Sequence, residues 1–86
     1  IDLELESESR KRELMDFFAN MQREVFGIPV KERQTVDGIG FDLSIPEGEA
    51  WILIRASGTE PVIRIYIEST QEKVFLKLQE GVEKLG

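Results

Sequence analysis

Arg55-Ala56-Ser57-Gly58-Thr59-Glu60-Pro61 brings two hydroxyl side chains and a glycine together at the junction of two strongly β-prone runs. Arg55 opens the string, and a second arginine, Arg64, follows three residues after its proline. These residue types suit an anion-binding turn. Ser57 and Thr59 carry hydroxyl donors, and Gly58 permits a backbone bend in which successive N–H groups converge. Arg55 adds a planar fork that matches the oxygens of a phosphate. The same residues also suit a plain hairpin turn with solvated arginines, since Ser, Gly, Thr and Pro are ordinary turn formers. A turn, however, requires neither arginine. Glu60 is positioned to buttress one of them, and Pro61 fixes the exit of the loop.

Other chemistry is scarce. The chain has no histidine and no cysteine, which removes the commonest general base, the commonest transition-metal ligand, any disulfide and any thiolate site. Lack of cysteine suits a reducing cytoplasm. Glu4, Glu6 and Glu8 match no metal-ligand spacing and read as a solvated edge, so no metal site is assigned. Asp37 with Asp42 resembles a carboxylate pair, but Asp37-Gly38 is better explained as a turn. Trp51 and Tyr66 can stack on a sugar ring or pack across strands. Lys31 and Arg33, beside Glu32, read as ordinary surface. No catalytic residue is assigned within these 86 positions.

The elements that must position the loop follow from periodicity, in the order β-α-β-β-β-α. Residues 1–5 alternate as a half-buried strand. Ser7 or Ser9 caps a helix whose apolar face is Leu14, Phe17, Phe18, Met21 and Val25, with Gly27 as its stop and Pro29 beyond. Residues 30–38 are polar and end in the Asp37-Gly38 turn. Phe41, Leu43 and Ile45 alternate, residues 50–55 and 62–68 read as strands, and Val74, Leu78, Val82 and Leu85, with Phe75, mark a second helix. In the last strand Ile63, Ile65 and Ile67 share one face, a bed for both helices, and Val62, Arg64, Tyr66 and Glu68 share the other. This predicts one α+β domain over 1–86. Its architecture is a two-layer sandwich, with a four-stranded, mainly antiparallel sheet and two helices on one face.

Length and charge bound the partners. With 41% hydrophobic residues the chain can bury a core, and its net charge of −6 opposes nucleic acid. No apolar run approaches a membrane span and no signal peptide opens the chain. The start at Ile1 suggests a piece of something longer. An acidic domain that binds phosphate must do so with a few donors at contact distance, where screening matters least.

Three segments together resemble the C-terminal, fourth domain of the phosphohexomutases: Asp37-Gly38-Ile39 with Phe41 and Leu43, Trp51-Ile52-Leu53-Ile54-Arg55, and Ser57 through Pro61. The resemblance is strong over about residues 37–70, with the helices agreeing in placement. It implies a TATA-binding-protein-like sandwich in which Arg55, Ser57, Gly58 and Thr59, with Arg64, hold the substrate phosphate not undergoing transfer. Where many relatives carry proline after the first arginine, this chain has Ala56, which should loosen the loop without changing its donors. The resemblance further implies that the phosphoserine, the Mg²⁺ loop and the sugar-recognition loop lie on preceding domains. Mg²⁺ would then belong to the parent enzyme, and none to this piece. The implied reaction moves a phosphoryl group between C1 and C6 of a glucose, mannose or glucosamine phosphate. A contrasting reading is a non-catalytic α+β protein-interaction module that uses its open sheet face.

Overall fold

Ser7 starts the first helix, because its hydroxyl oxygen accepts the Arg10 N–H at 3.1 Å and so satisfies one of the helix's orphan donors. The computed structural model describes residues 1–86. Its elements are β1 (Asp2–Glu4), α1 (Glu8–Ala19), β2 (Glu24–Val25), β3 (Ile28–Gln34), β4 (Ile39–Leu43), β5 (Ala50–Ala56), β6 (Val62–Ser69) and α2 (Glu72–Glu83). Every strand pair is antiparallel, and the sheet order is β1-β6-β5-β4-β3-β2. The α+β class holds, but the sheet has six strands rather than four.

The two additional strands have a physical origin. The first helix stops at Ala19, not near Val25, with Asn20 as its C-cap donating to Asp16 O. Arg33 Nη2 donates to Ala19 O at 2.7 Å, meeting an orphan carbonyl at the negative end of the helix. Arg33 is therefore a surface residue, as expected, that also caps the helix from β3. Val25 pairs with Ile28 across the two-residue connection Phe26-Gly27. Both connecting residues have positive φ, 49° and 83°, the signature of a type I′ hairpin. Gly27, which reads as a helix stop, is the second central residue of that turn. Phe26 tolerates its left-handed backbone because the ring is anchored. It meets Phe18 edge-on, with centroids 6.2 Å apart, and lies on Gly81 of α2, where a Cβ would come within 2.7 Å of the ring. Residues 28–34 form a strand despite their polar composition. Most of β3 is exposed, and a register irregularity between Val30 and Glu32 breaks the alternation that betrays a strand.

The period-two reading of β6 holds. Ile63 and Ile65 are buried and Ile67 is half-buried, whereas Arg64, Tyr66 and Glu68 are exposed. On β5 the buried set is Ala50, Ile52 and Ile54, and on β4 it is Ile39, Phe41 and Leu43. These residues form one core with Leu14 and Phe18 of α1 and Leu78 and Val82 of α2. Both helices therefore cover the same sheet face, α1 over β5 and α2 over β6. Phe17 points outward at 43% exposure, so the buried stripe of α1 is the Leu14–Phe18 pair one turn apart. Fully burying each large aliphatic or aromatic side chain contributes about 1.5–3 kcal/mol. That burial makes the β5–β6 pair a rigid base for the loop joining them.

Candidate anion-binding site

Arg55 and Arg64 are direct cross-strand partners in the β5–β6 ladder. Antiparallel register puts the Cβ atoms of such a pair about 4.5–5.5 Å apart on one face. Here that face is the open one, remote from both helices, so the two guanidinium groups share a solvent-accessible surface. Arg55, Ala56, Ser57, Arg64 and Tyr66 line a cavity of about 240 Å³ there. The structure thus brings together Arg55, Ser57 and Arg64 from the residues expected at the site, and adds Tyr66, which is 42% exposed. Gly58 and Thr59 lie at the exposed apex of the loop and do not line the cavity.

Two like charges opposed across strands repel, and the chain places a carboxylate beside each. Arg55 Nη2 lies 3.4 Å from Asp37 Oδ1, and Arg64 Nε lies 3.9 Å from Asp2 Oδ1. All four side chains are about half exposed or more, so these pairs are weak and exchangeable. Asp37 comes from the β3–β4 turn and Asp2 from β1, which pairs with β6 in the register Asp2↔Arg64. Glu60, expected to buttress an arginine, makes no ion pair. Its contribution is its backbone carbonyl.

The loop holds its shape through Ser57. Its N–H donates to Val62 O at 2.9 Å, closing the turn. Its side-chain oxygen accepts the N–H groups of Glu60 at 3.2 Å and Thr59 at 3.4 Å. The hydroxyl hydrogen remains available as a donor. The convergence of loop N–H groups expected around Gly58 is therefore turned largely inward, onto Ser57. Gly58 is not in the left-handed region, and a Cβ there would meet nothing within 4 Å. Backbone bending does not require glycine at this position. Gly38 is different. Its φ is +92°, and a Cβ would collide with the Ile54 carbonyl, so only glycine lets the Asp37 turn lie this close to the strand carrying Arg55.

One participant escaped sequence reasoning. Lys11, on the first turn of α1, donates to Ser57 O at 2.7 Å and Glu60 O at 3.1 Å, and pairs with Glu8 at 2.7 Å. A lysine on a helix carries no motif, and its loop partners lie 46 and 49 positions away.

Residues 12–85 match the family model described as the phosphoglucomutase/phosphomannomutase C-terminal domain. The chain is 34% identical over 71 residues, 83% of its length, to a phosphoglucosamine mutase of Methanococcus maripaludis. It is 33% identical over 78 residues, 91% of its length, to a phosphoglucosamine mutase of Methanococcus aeolicus. It is also 43% identical over 65 residues, 74% of its length, to a probable phosphoglucosamine mutase of Methanosphaera stadtmanae. It spans only 14–16% of the length of these relatives. With the α+β fold, the arginine pair and the Ser57 loop in place, the chain belongs to the phosphoglucomutase/phosphomannomutase C-terminal domain family.

Proposed function

We propose that this chain is the phosphate-clamping C-terminal domain of a phosphosugar mutase that interconverts a hexose 1-phosphate and a hexose 6-phosphate. The observation that carries the reading is the opposed Arg55–Arg64 pair at the mouth of the Ser57 loop. A phosphate dianion between the two forks removes their repulsion and accepts charge-assisted hydrogen bonds from both, which the exposed Asp37 and Asp2 carboxylates do only weakly. Ser57 Oγ adds a neutral donor. These groups read charge and tetrahedral shape rather than sugar hydroxyls. Such a clamp suits a substrate whose two phosphates must be held in turn.

The domain supplies no catalytic group. Phosphoryl transfer takes place on preceding domains of the same protein, and this domain holds the phosphate that does not react and closes the site against water. The relatives' names make a glucosamine phosphate the first substrate to assay, with glucose and mannose phosphates beside it. The parent enzyme's Mg²⁺ is assigned to those other domains as well. No group of three acidic side chains comes together here. No helix is long and apolar enough to cross a membrane, and a cytoplasmic enzyme is the setting proposed. A protein-interaction role draws little from the open face, where Tyr66 is the one exposed large hydrophobic side chain.

Each charge-assisted hydrogen bond contributes about 1.5–3 kcal/mol. Set against the cost of association, the domain alone should bind phosphate with a Kd on the order of millimolar. The test has two arms. Titration of the labelled domain with glucosamine 6-phosphate and with inorganic phosphate should give saturable amide shifts confined to residues 55–64, similar for both ligands and lost in Arg55→Ala. In the full-length mutase, Arg55→Ala should lower kcat/KM by about a hundredfold or more while the fold is kept. An unchanged kcat/KM sinks the proposal.

A further inference from the structure

Lys11 spends all three ammonium donors at once, on Ser57 O, Glu60 O and the Glu8 carboxylate, and its side chain is only 11% exposed. The two carbonyls bracket the apex of the loop, Gly58-Thr59. Around that apex the N–H groups of Ser57, Thr59 and Glu60 are all engaged, on Val62 O and Ser57 Oγ. The Gly58 N–H alone has no partner within the chain.

The Ser57 carbonyl and the Gly58 N–H belong to one planar trans peptide, so they point in opposite directions. Lys11 reaches the loop from α1, which covers the core face of the sheet. By holding the Ser57 carbonyl on its ammonium, it turns the Gly58 N–H of the same peptide away from Lys11 and α1. A cation on the carbonyl also polarises the peptide and strengthens its N–H as a donor. Open space beside Gly58 leaves room for an anion to approach the backbone.

We infer that Lys11 is a positioning residue for the phosphate site: its grip on Ser57 O aims the Gly58 N–H as a backbone donor to the bound phosphate. This rests on the phosphate-clamp reading above.

The test uses the ¹⁵N-labelled 86-residue chain, its fold checked by the amide dispersion of Ile52, Ile54 and Ile65, titrated with inorganic phosphate. In the wild type the Gly58 amide proton should move downfield together with the Arg55 and Arg64 Nε–H signals. Lys11→Met should weaken binding about tenfold, the value of one charge-assisted bond near the low end of its range. The Gly58 shift should collapse while both arginines still respond, and Lys11→Arg should restore part of it. A loop staple with no role toward the ligand would leave the Gly58 response intact in whatever fraction binds. If Lys11→Met does not fold, Glu8→Gln frees one anchor of the ammonium and should weaken binding about two- to threefold, with a reduced Gly58 shift. Unchanged Kd and unchanged Gly58 response in the folded variant overturn the inference and leave the clamp standing. Silence at Arg55 and Arg64 in the wild type overturns the clamp, and the inference falls with it.

Discussion

Gly38→Ala tests how the Asp37 turn supports the site. Gly38 has φ +92°, where an L-residue is strained by about 1–2 kcal/mol. An added Cβ would strike the carbonyl oxygen of Ile54 and come within 3.0 Å of Arg55 Cγ. The first of these neighbours is backbone in a central strand and cannot swing aside, so overpacking adds about 1–3 kcal/mol. The sum, about 2–5 kcal/mol, is a large share of the 5–15 kcal/mol typical of a whole domain. At about 4–8 °C per kcal/mol for a chain of this size, Tm should fall by about 10 °C or more. Trp51, the single tryptophan, sits on the same strand as Ile54 and reports the melt by fluorescence. Gly38→Asn separates the two causes: asparagine tolerates positive φ and should recover about 1 kcal/mol, while the Cβ clash remains. Gly58→Ala is the control, with open space and no left-handed backbone, and should stay within about 0.5 kcal/mol of wild type. A Gly38→Ala melt within 2 °C of wild type, about half a kcal/mol, would refute the account of the turn.

Other consequences follow from the same geometry. Gly81→Ala should destabilise by about 1–2 kcal/mol in urea unfolding, because displacing the Phe26 ring outweighs a helix-propensity gain of about 1 kcal/mol. Ser7→Ala should lower stability by about 1 kcal/mol through loss of the α1 cap, and Ser7→Asp should largely restore it. Arg33→Met should speed amide hydrogen exchange in the last turn of α1 by exposing the Ala19 carbonyl end, with little change at α2. Phosphate affinity should rise between about pH 5 and pH 7, measured by the same titration. The ligand gains its second charge near pH 6, and a chain without histidine brings no imidazole to oppose that trend.

The parts of this fold that were legible in the sequence are those where burial alternates with exposure residue by residue. In β6 every second side chain is an isoleucine facing the helices, so the position of Arg64 on the open face could be read directly. In α2 the stripe of Val74, Leu78 and Val82 matches a helical period and faces the core. The hairpin at residues 25–28 was hidden because Val25 also completes a helical stripe with Leu14, Phe18 and Met21. Gly27 means helix stop and hairpin turn equally well. What resolves the ambiguity is a contact from far along the chain, Phe26 on Gly81. β3 was invisible because an exposed, irregular strand has no apolar face to display. The counter-ions had the same difficulty: Asp2 meets Arg64 only through the β1–β6 register, which nothing local specifies.

The proposed anion site would let a chain of net charge −6 prepare a place for phosphate. Its long-range field repels the ligand, so attraction must come from groups whose positions are already set. Strand register supplies the first constraint, holding Arg55 and Arg64 opposite each other on a sheet whose other face is sealed by two helices. Ser57 supplies the second by folding the loop onto its own hydroxyl oxygen. Lys11 supplies the third, tying both shoulders of the loop to α1. The arginine heads, by contrast, are held only by exposed carboxylates at 3.4 and 3.9 Å, so the proposed phosphate would displace them at small cost. Rigid backbone beneath exchangeable side-chain pairs gives a site that is shaped before binding and still releases its ligand. On the proposed clamp reading, a mutase would need both as its substrate returns with the other phosphate.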